Sequence, residues 1–315
     1  MARLTFGVAL DFGSQLRSLR AQLDRQSALL EAAESAGFEI VAAGESSSGG
    51  GFHLPNALLA LAAVAQRTSM RLCTGVALLP AWSVWKLAQD AAELDQLSDG
   101  RLILGVGLGS AALQARGGWQ PDAIAQTADE ALKCLRDLWS GAAQFAGDYV
   151  NVSGALPILP RNGSIPLWVG GAIRRSASRA GRLGDGWYGG VNYRLLDLPR
   201  QAETYRASGG NGAVVVNRVT LLARSATEAD SLADSYVNGT VRSYARPGQP
   251  MQEVIDDVAL VGTPERVAAQ LERYAAAGVT HVLARLSLDQ MPPEVARTTI
   301  ELFGREVLPR FQAAR

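Results

Sequence analysis

The feature that most constrains the fold is a helix, a turn and a strand that follow one another between residues 94 and 110. The helix ends at Ser98-Asp99-Gly100, where glycine suits a left-handed helix cap. Residues 101–107 are a short apolar run, the pattern of a parallel strand that is buried on both faces. The unit ends in three glycines, which let other groups approach the backbone closely: Gly105, Gly107 and Gly109. Such a unit predicts a chain that alternates helices with parallel strands.

The same alternation runs through the whole chain and predicts eight strands, at 4–10, 38–43, 70–79, 101–107, 165–171, 187–190, 213–222 and 279–286. Eight strands that alternate with helices favour a closed (β/α)8 barrel, the TIM-barrel fold. An open, doubly wound parallel sheet is the alternative. In either fold, ligands bind at the carboxyl ends of the strands, which form the mouth of the barrel.

Two segments interrupt this rhythm. Residues 141–165 contain several turn sequences and two prolines, which predict an inserted hairpin and loop. Residues 246–260 begin with proline and glycine and are predicted to be a second, irregular insertion. Because no linker separates the remaining units, we expect residues 1–315 to form a single domain.

The composition excludes several classes of protein. Thirty basic and thirty acidic residues cancel, which argues against a surface for nucleic acid or an anionic membrane. Two cysteines and two distant histidines predict neither a disulfide framework nor a metal site. The first residues lack the pattern of a signal peptide, and no apolar run approaches the ~20 residues of a membrane span. We therefore expect a cytoplasmic protein with a small-molecule substrate.

Glycine dominates the predicted strand ends, and few charged side chains accompany it. Asp11 ends the first strand and Glu45 follows the second, so both are candidate catalytic acids; the alternatives are a turn acid and a solvated loop acid. His53 is the histidine near the predicted mouth and could transfer a proton or form an ordinary loop hydrogen bond. Residues 44–51 are polar and rich in glycine, and form either a mobile lid or an ordinary loop.

The rim offers a place for a phosphate rather than for a nucleophile. Gly170 and Gly171 precede a helix, and successive amides before a helix form an anion nest; packing of the helix on its strand is the alternative. The spacing of Gly105, Gly107 and Gly109 is a weak match to a dinucleotide fingerprint, because neither the third glycine nor the acid follows where it should. A site with few catalytic side chains indicates that a bound cofactor carries the reaction.

Three separated motifs resemble the bacterial luciferase-like family of flavin- and deazaflavin-dependent oxidoreductases. They are LDQLSDGR leading into LGVG at 94–107, IPLWVGG with AGRLGDGW at 165–187, and VGTPERV with AGVTH at 261–281. The resemblance covers nearly the whole chain in order. It implies a (β/α)8 barrel with insertions, a cofactor that lies across the mouth, and a dimer, since the family often dimerises.

The resemblance also implies roles for individual residues. Asp11 would lie near the cofactor ring, Gly107 and Ser110 would line it, and Gly75-Val76 would form a bulge whose non-proline cis peptide backs the ring. Five residues would offer amides to the cofactor phosphate: Gly170, Gly171, Ala172, Gly189 and Gly190.

The choice of cofactor rests on the segment after strand four. The long-chain monooxygenase branch of the family carries a Trp-Asn-x-Val-Thr-Ser segment there, whereas this chain has Ser-Ala-Ala-Leu-Gln at 110–114. The resemblance therefore favours coenzyme F420 over FMN, and hydride transfer to or from a small organic substrate. The alternatives are an FMN-dependent monooxygenase that uses reduced flavin and O2, a non-catalytic flavin-binding barrel, and an unrelated barrel enzyme such as a lyase.

Four other side chains have two interpretations each. Trp82 and Trp85 follow strand three and could line a pocket for an apolar substrate or pack in the core. Arg174 and Arg175 could approach the cofactor phosphate or form a solvated helix face. His281 begins the last strand, at the end away from the mouth, and is predicted to be structural.

Overall fold

The computed structural model of the chain describes residues 3–13, 18–46, 54, 56–190, 193–288 and 290–312. Its strands are β1 (Thr5–Ala9), β2 (Ile40–Ala43), β3 (Arg71–Thr74), β4 (Ala77–Leu78), β5 (Leu102–Gly107), β6 (Gln144–Ala146), β7 (Asn151–Ser153), β8 (Leu167–Gly170), β9 (Gly186–Gly189), β10 (Ala213–Leu222), β11 (Ala259–Gly262) and β12 (His281–Arg285).

The helices lie between the strands and around them. They are α1 (Leu19–Ala36), α2 (Ala57–Val64), α3 (Val84–Leu97), α4 (Ala111–Arg116), α5 (Ile124–Trp139), α6 (Arg174–Leu183), α7 (Leu198–Ala207), α8 (Ala226–Tyr236), α9 (Asn238–Val241), α10 (Met251–Val258), α11 (Pro264–Ala276) and α12 (Pro293–Leu302). Within the described part of the chain, none of these helices is both long and apolar enough to cross a membrane.

Eight parallel strands close into a ring in the order β1, β2, β3, β5, β8, β9, β10 and β12. Closure comes from the pairing of β12 with β1 on one side and with β10 on the other, and from the pairing of β10 with β9. The predicted (β/α)8 barrel is confirmed, and the open sheet is wrong because an open sheet would leave two edges unpaired.

The interior of the barrel is narrow and filled by a small apolar cluster that includes Ile40, Cys73, Ile103, Trp168 and Leu283. A second, larger core lies between the outer face of the strands and the helices. The barrel is therefore a packed core rather than a pore, and a ligand can enter only at its rim.

The two interruptions differ from each other. The hairpin predicted within 141–165 is present, since β6 and β7 pair antiparallel. The irregular structure predicted for 246–260 is wrong, because this segment contains α10 and the start of β11, which pairs with the second half of β10. The helix forms because Val254, Ile255 and Val258 share one buried face, a pattern too short to stand out in the sequence.

The strand predicted at 70–79 is also divided in the structure. It forms β3 and the two-residue β4, separated by a bulge at Gly75 and Val76 whose peptide bond is cis. Both pieces pair with β5. The apolar run continues through the bulge, so the sequence pattern alone did not mark the break.

The motif at 94–101, which contributed to the family resemblance, is a structural cap. Asp99 and Gly100 adopt left-handed conformations (φ 61° and 77°) after α3, as the sequence predicted for this turn. The Asp95 carboxylate accepts N–H bonds from Leu102 (3.4 Å) and Arg161 (2.9 Å). The Arg101 guanidinium donates to the main-chain carbonyls of neighbouring segments at Ala65, Thr68 and Met70. The motif therefore ties α3 and β5 to the segments beside them.

His281 lies at the amino end of β12, away from the mouth. Its ring packs edge-on against Trp168 with 5.3 Å between centroids, and its Nδ1 lies 2.8 Å from the Thr280 hydroxyl. Burial lowers the pKa of the imidazole to about 4, and the Arg71 guanidinium acts in the same direction. These contacts support a structural role.

We predict that Gly105→Ala lowers the free energy of unfolding by about 1–3 kcal/mol, because the core must shift to accept the new atom. A Cβ at this position would lie 2.1 Å from the Thr74 carbonyl oxygen. Urea denaturation measures the change. Gly239→Ala is the matched control, since nothing lies within 4 Å of its added Cβ. Equal stability of the two variants would contradict the tight contact between β3 and β5.

We also predict a pH dependence that originates at His281. Its folded pKa of about 4 lies below the ordinary 6.5, so the unfolded chain binds the proton more tightly. The resulting stability is full above pH 6.5 and is lost as pH falls toward 4, at up to about 1.4 kcal/mol per pH unit. Urea denaturation of wild type and His281→Gln across this range should show the difference between them shrinking as pH falls. A constant difference would contradict the assignment.

Candidate active site

Glycines from two strands, β5 and β8, pack against the Val76 side chain at the mouth of the barrel. A Cβ added to Gly107 would lie 2.7 Å from Val76 Cγ2, and one added to Gly170 would lie 3.3 Å from Val76 Cγ1. Gly75 and Val76 form the bulge after β3, and the cis peptide that joins them is the one that the family resemblance implied. The structure therefore brings four of the predicted cofactor-binding residues together: Gly75, Val76, Gly107 and Gly170.

Hydrogen bonds from both sides hold this bulge in place. The Gly75 amide donates to the Ala43 carbonyl (2.7 Å), and the Glu45 amide donates to the Val76 carbonyl (3.0 Å). From across the barrel, the Tyr188 hydroxyl donates to the Gly75 carbonyl at 3.5 Å. A Cβ at Gly75 would lie 2.7 Å from that hydroxyl oxygen, so glycine is needed for this contact.

Asp11 lies at the mouth as predicted, and it forms a buried ion pair there. Its carboxylate accepts from Arg285 Nε at 3.0 Å and from Arg285 Nη2 at 2.9 Å. The Asp11 side chain is 7% exposed and that of Arg285 is 17% exposed. Burial alone lowers the pKa of an arginine, but the Asp11 carboxylate outweighs this and raises the pKa of Arg285 above its ordinary value.

The main chain of Asp11 is also held. The buried side-chain amides of Gln22 and Gln26, on α1, both donate to its carbonyl oxygen. Gln26 additionally donates to the Ser287 hydroxyl at 2.8 Å. These bonds fix the direction in which β1 leaves the barrel and, with it, the position of the Asp11 carboxylate.

Glu45 joins three segments near the mouth. Its carboxylate accepts from the Leu78 amide (2.8 Å), the Trp82 indole N–H (3.1 Å) and the Ala57 amide (3.2 Å). Burial raises the pKa of the Glu45 carboxyl, and the three donors oppose that shift. Glu45 also lines a 520 Å³ pocket. Its carboxylate thus connects the end of β2 to the start of α2 and to the segment after the bulge.

Three residues that the sequence analysis did not identify also reach the mouth: Arg285, Tyr188 and Asn217. The Asn217 amide donates to the Tyr188 hydroxyl at 3.2 Å. Burial raises the pKa of Tyr188, so its hydroxyl stays protonated. The two-residue alternation along a strand could have identified Arg285, since it shares a face with His281 and Leu283.

The predicted phosphate corner lies where β8 leads into α6. Ile173 is the N-cap of α6 and makes no side-chain capping bond, and helix starts leave amides that need an acceptor. The Gly171 amide donates to the Tyr188 carbonyl at 3.2 Å and is already used. Ala172 is exposed beside it, as are Arg174 and Arg175.

The other end of the predicted phosphate site lies after β9. Gly189 pairs with Val216 of β10. The Gly190 carbonyl accepts from Arg218 Nη1 at 3.1 Å, and the same buried guanidinium donates to the Tyr193 carbonyl. Arg218 therefore fixes the backbone on both sides of residues 191 and 192.

The remaining predicted residues are placed as follows. Ser110 is the N-cap of α4, and its hydroxyl accepts from the Leu113 amide at 3.3 Å. Ser46 forms a bridge with Leu54. His53 and residues 47–51 of the predicted lid lie outside the described residues.

We predict that Asp11→Asn lowers the free energy of unfolding by about 3–5 kcal/mol, because it leaves the buried Arg285 guanidinium without its carboxylate. The double variant Asp11→Asn/Arg285→Met should lose less than Asp11→Asn alone, since no buried charge remains. Urea denaturation of both single variants and the double variant gives the coupling energy. If the losses in the free energy of unfolding of the two single variants simply add in the double variant, the ion pair is not the cause of the loss.

Comparison with known proteins shows the family to which the chain belongs. A family model described as luciferase-like monooxygenase matches residues 4–281. The F420-dependent glucose-6-phosphate dehydrogenase of Nocardia farcinica is 26% identical over 294 residues, which cover 84% of this chain and 85% of that protein. Two solved structures share the fold.

The first is monooxygenase RslO1 from Streptomyces bottropensis, with a TM-score of 0.83 at 23% identity over 98% of this chain and 100% of that chain. The second is the oxygenating constituent of 3,6-diketocamphane monooxygenase from Pseudomonas putida in complex with FMN, with a TM-score of 0.82 at 21% identity over 100% of both chains. The resemblance drawn from the three sequence motifs is confirmed, and the chain belongs to the luciferase-like monooxygenase family.

Proposed function

We propose that this protein is an F420-dependent oxidoreductase that catalyses hydride transfer to or from a small organic substrate. The observation that carries the proposal is the half-buried bulge at Gly75 and Val76 on the rim, against which Gly107 and Gly170 pack without side chains of their own. The Nocardia farcinica relative, an F420-dependent glucose-6-phosphate dehydrogenase that matches over most of both chains, supports the choice of cofactor.

The residues present fit a flat ring with a phosphate tail. An added Cβ would lie 2.7 Å from Tyr188 at Gly75 and 2.7 Å from Val76 at Gly107, so glycine lets these two side chains pack closely against the backbone. The bulge at Gly75 and Val76 remains half-buried, and a ring could contact it from the rim. We propose that Asp11, Gly75, Val76, Gly107 and Ser110 hold the ring. For the phosphate we propose the start of α6 and the end of β9, at Gly170, Gly171, Ala172, Gly189 and Gly190. Because the Gly171 amide donates to the Tyr188 carbonyl, the exposed Ala172 is the residue there that we propose to donate its amide.

When bound, F420 supplies hydride chemistry, whereas FMN would supply oxygen chemistry. The protein's own contribution is to orient the reactants and exclude water. The Asp11 and Glu45 carboxylates both accept N–H bonds at the mouth, and burial raises the pKa of Glu45 above its ordinary value. We propose that Asp11, Glu45 or His53 holds or delivers the proton at the mouth.

An FMN-dependent monooxygenase is the second candidate. The family is described by its monooxygenases, and the diketocamphane monooxygenase with the same fold was solved with FMN. The same surface around Val76 would serve either ring. We also propose a cytoplasmic location, on the basis of the composition. We propose a homodimer because proteins of this family often dimerise.

Titration of the apoprotein with F420 and with FMN, followed by absorbance and fluorescence, tests the function. We expect F420 to bind more tightly than FMN. Gly107→Ala should weaken F420 binding at least tenfold, about 1.4 kcal/mol, because its Cβ pushes Val76 into the space of the ring. Gly239→Ala is the control and should bind F420 like wild type. Binding of neither cofactor would overturn the proposal, and tighter binding of FMN would favour the monooxygenase.

A further inference from the structure

A pocket rich in aromatic side chains lies beside the mouth, between the β6–β7 hairpin, the start of α3 and the loop before α5. We call it the aromatic pocket; its volume is 520 Å³, and it is lined by Trp82, Ser83, Val84, Trp85, Gly117, Gly118, Trp119, Gln120, Thr127, Tyr149, Val150, Asn151, Val152 and Ser153. This volume is sufficient for a small organic molecule. Trp82, Trp85 and Trp119 are half-buried: they pack against the outer core and also line the pocket.

Hydrogen bonds fix the walls of this pocket. The Trp85 indole N–H donates to the Gly154 carbonyl at 3.1 Å, which ties α3 to the end of the hairpin. The Glu130 carboxylate on α5 accepts from the amides of Asp148, Tyr149 and Val150 and so holds the tip of the hairpin. The pocket is therefore preformed, and a ligand would not have to order it.

The uncharged lining of the aromatic pocket disfavours charged ligands. None of the described residues that line the aromatic pocket is charged, although 60 of the 315 residues of the chain are Lys, Arg, Asp or Glu. An anionic ligand would lose hydration there without gaining a cation. A planar neutral ligand would instead stack on the rings of Trp82, Trp85, Trp119 and Tyr149.

The aromatic pocket adjoins the candidate active site. It shares Trp82, Ser83 and Gly117 with the second 520 Å³ pocket, whose wall contains Glu45. The Trp82 indole donates to the Glu45 carboxylate (3.1 Å), and the Glu45 amide donates to the Val76 carbonyl (3.0 Å). Two hydrogen bonds thus separate an aromatic wall of the pocket from the bulge on which the cofactor ring is proposed to lie.

We propose that the aromatic pocket binds the ring system of a neutral, planar aromatic substrate. This inference rests on the proposed function and narrows it, because it assigns a substrate class. The proposed substrate also differs from glucose 6-phosphate, the charged and non-aromatic compound in the name of the Nocardia farcinica relative. A compound of two or more fused rings would lie in the aromatic pocket and extend past Trp82 toward Val76.

Isothermal titration calorimetry with three probes tests the proposal: 1-naphthol, 1-naphthyl phosphate and glucose 6-phosphate. We expect 1-naphthol to bind at least tenfold more tightly than 1-naphthyl phosphate, and glucose 6-phosphate not to compete. Trp119→Ala should weaken 1-naphthol binding at least tenfold. Asn151→Asp, which adds a charge at an exposed position of the wall, should weaken 1-naphthyl phosphate binding further. Ile158→Ala, an exposed apolar residue outside the pocket, is the matched control.

Titration of the same variants with F420 and FMN distinguishes the two proposals. Normal cofactor binding together with 1-naphthol binding that Trp119→Ala does not change would overturn the aromatic pocket and leave the function standing. Failure to bind either cofactor, with 1-naphthol binding that depends on Trp119, would overturn the function alone. If 1-naphthol does not bind and Asn151→Asp dissociates a dimer, the pocket is a contact surface for a second copy of the chain. That result would overturn the proposal.

Discussion

The structure depends on the close approach of β3 and its bulge to the neighbouring strands. A Cβ at Gly105 would lie 2.1 Å from the Thr74 carbonyl, and one at Gly44 would lie 2.5 Å from the Gly75 carbonyl. Because the backbones touch there, the bulge is positioned by main-chain bonds and by its neighbours' lack of side chains. The same lack lets the bulge pack closely at the rim, where the flat ring is proposed to lie. One packing constraint thus accounts both for the shape of the barrel rim and for the site proposed on it.

The charged groups at the mouth serve the architecture as well as the proposed chemistry. Asp11 pairs with Arg285, while Glu45 gathers three N–H donors from segments that are distant in the sequence. Asp11 is buried and Glu45 is half-buried, and a carboxylate withdrawn from water needs such partners. These bonds fix the ends of β1 and β2, which form one side of the mouth. The Glu45 carboxylate also connects the candidate site to the aromatic pocket through Trp82.

The barrel itself could be predicted because its pattern is local. Each strand is a short apolar run and each helix has an apolar face, so neither needs knowledge of its partner. The turn at Asp99 and Gly100 follows from the same local logic. The hydrophobic pattern did not predict α10, because the apolar face of this helix is short. It also did not mark the bulge at Gly75 and Val76, because the apolar run continues through it. In both places, packing against neighbouring segments determines the local structure.

The sequence by itself determined the fold, the family and the glycines at the ends of the strands, since all of these are properties of short, continuous stretches. Only the tertiary structure decided that Asp11 meets Arg285, that Tyr188 reaches the Gly75 carbonyl, and that four aromatic rings line one uncharged pocket. The physical reason is the same in each case. These groups lie far apart in the sequence, and their meeting depends on the closure of the barrel and on the docking of the hairpin against it.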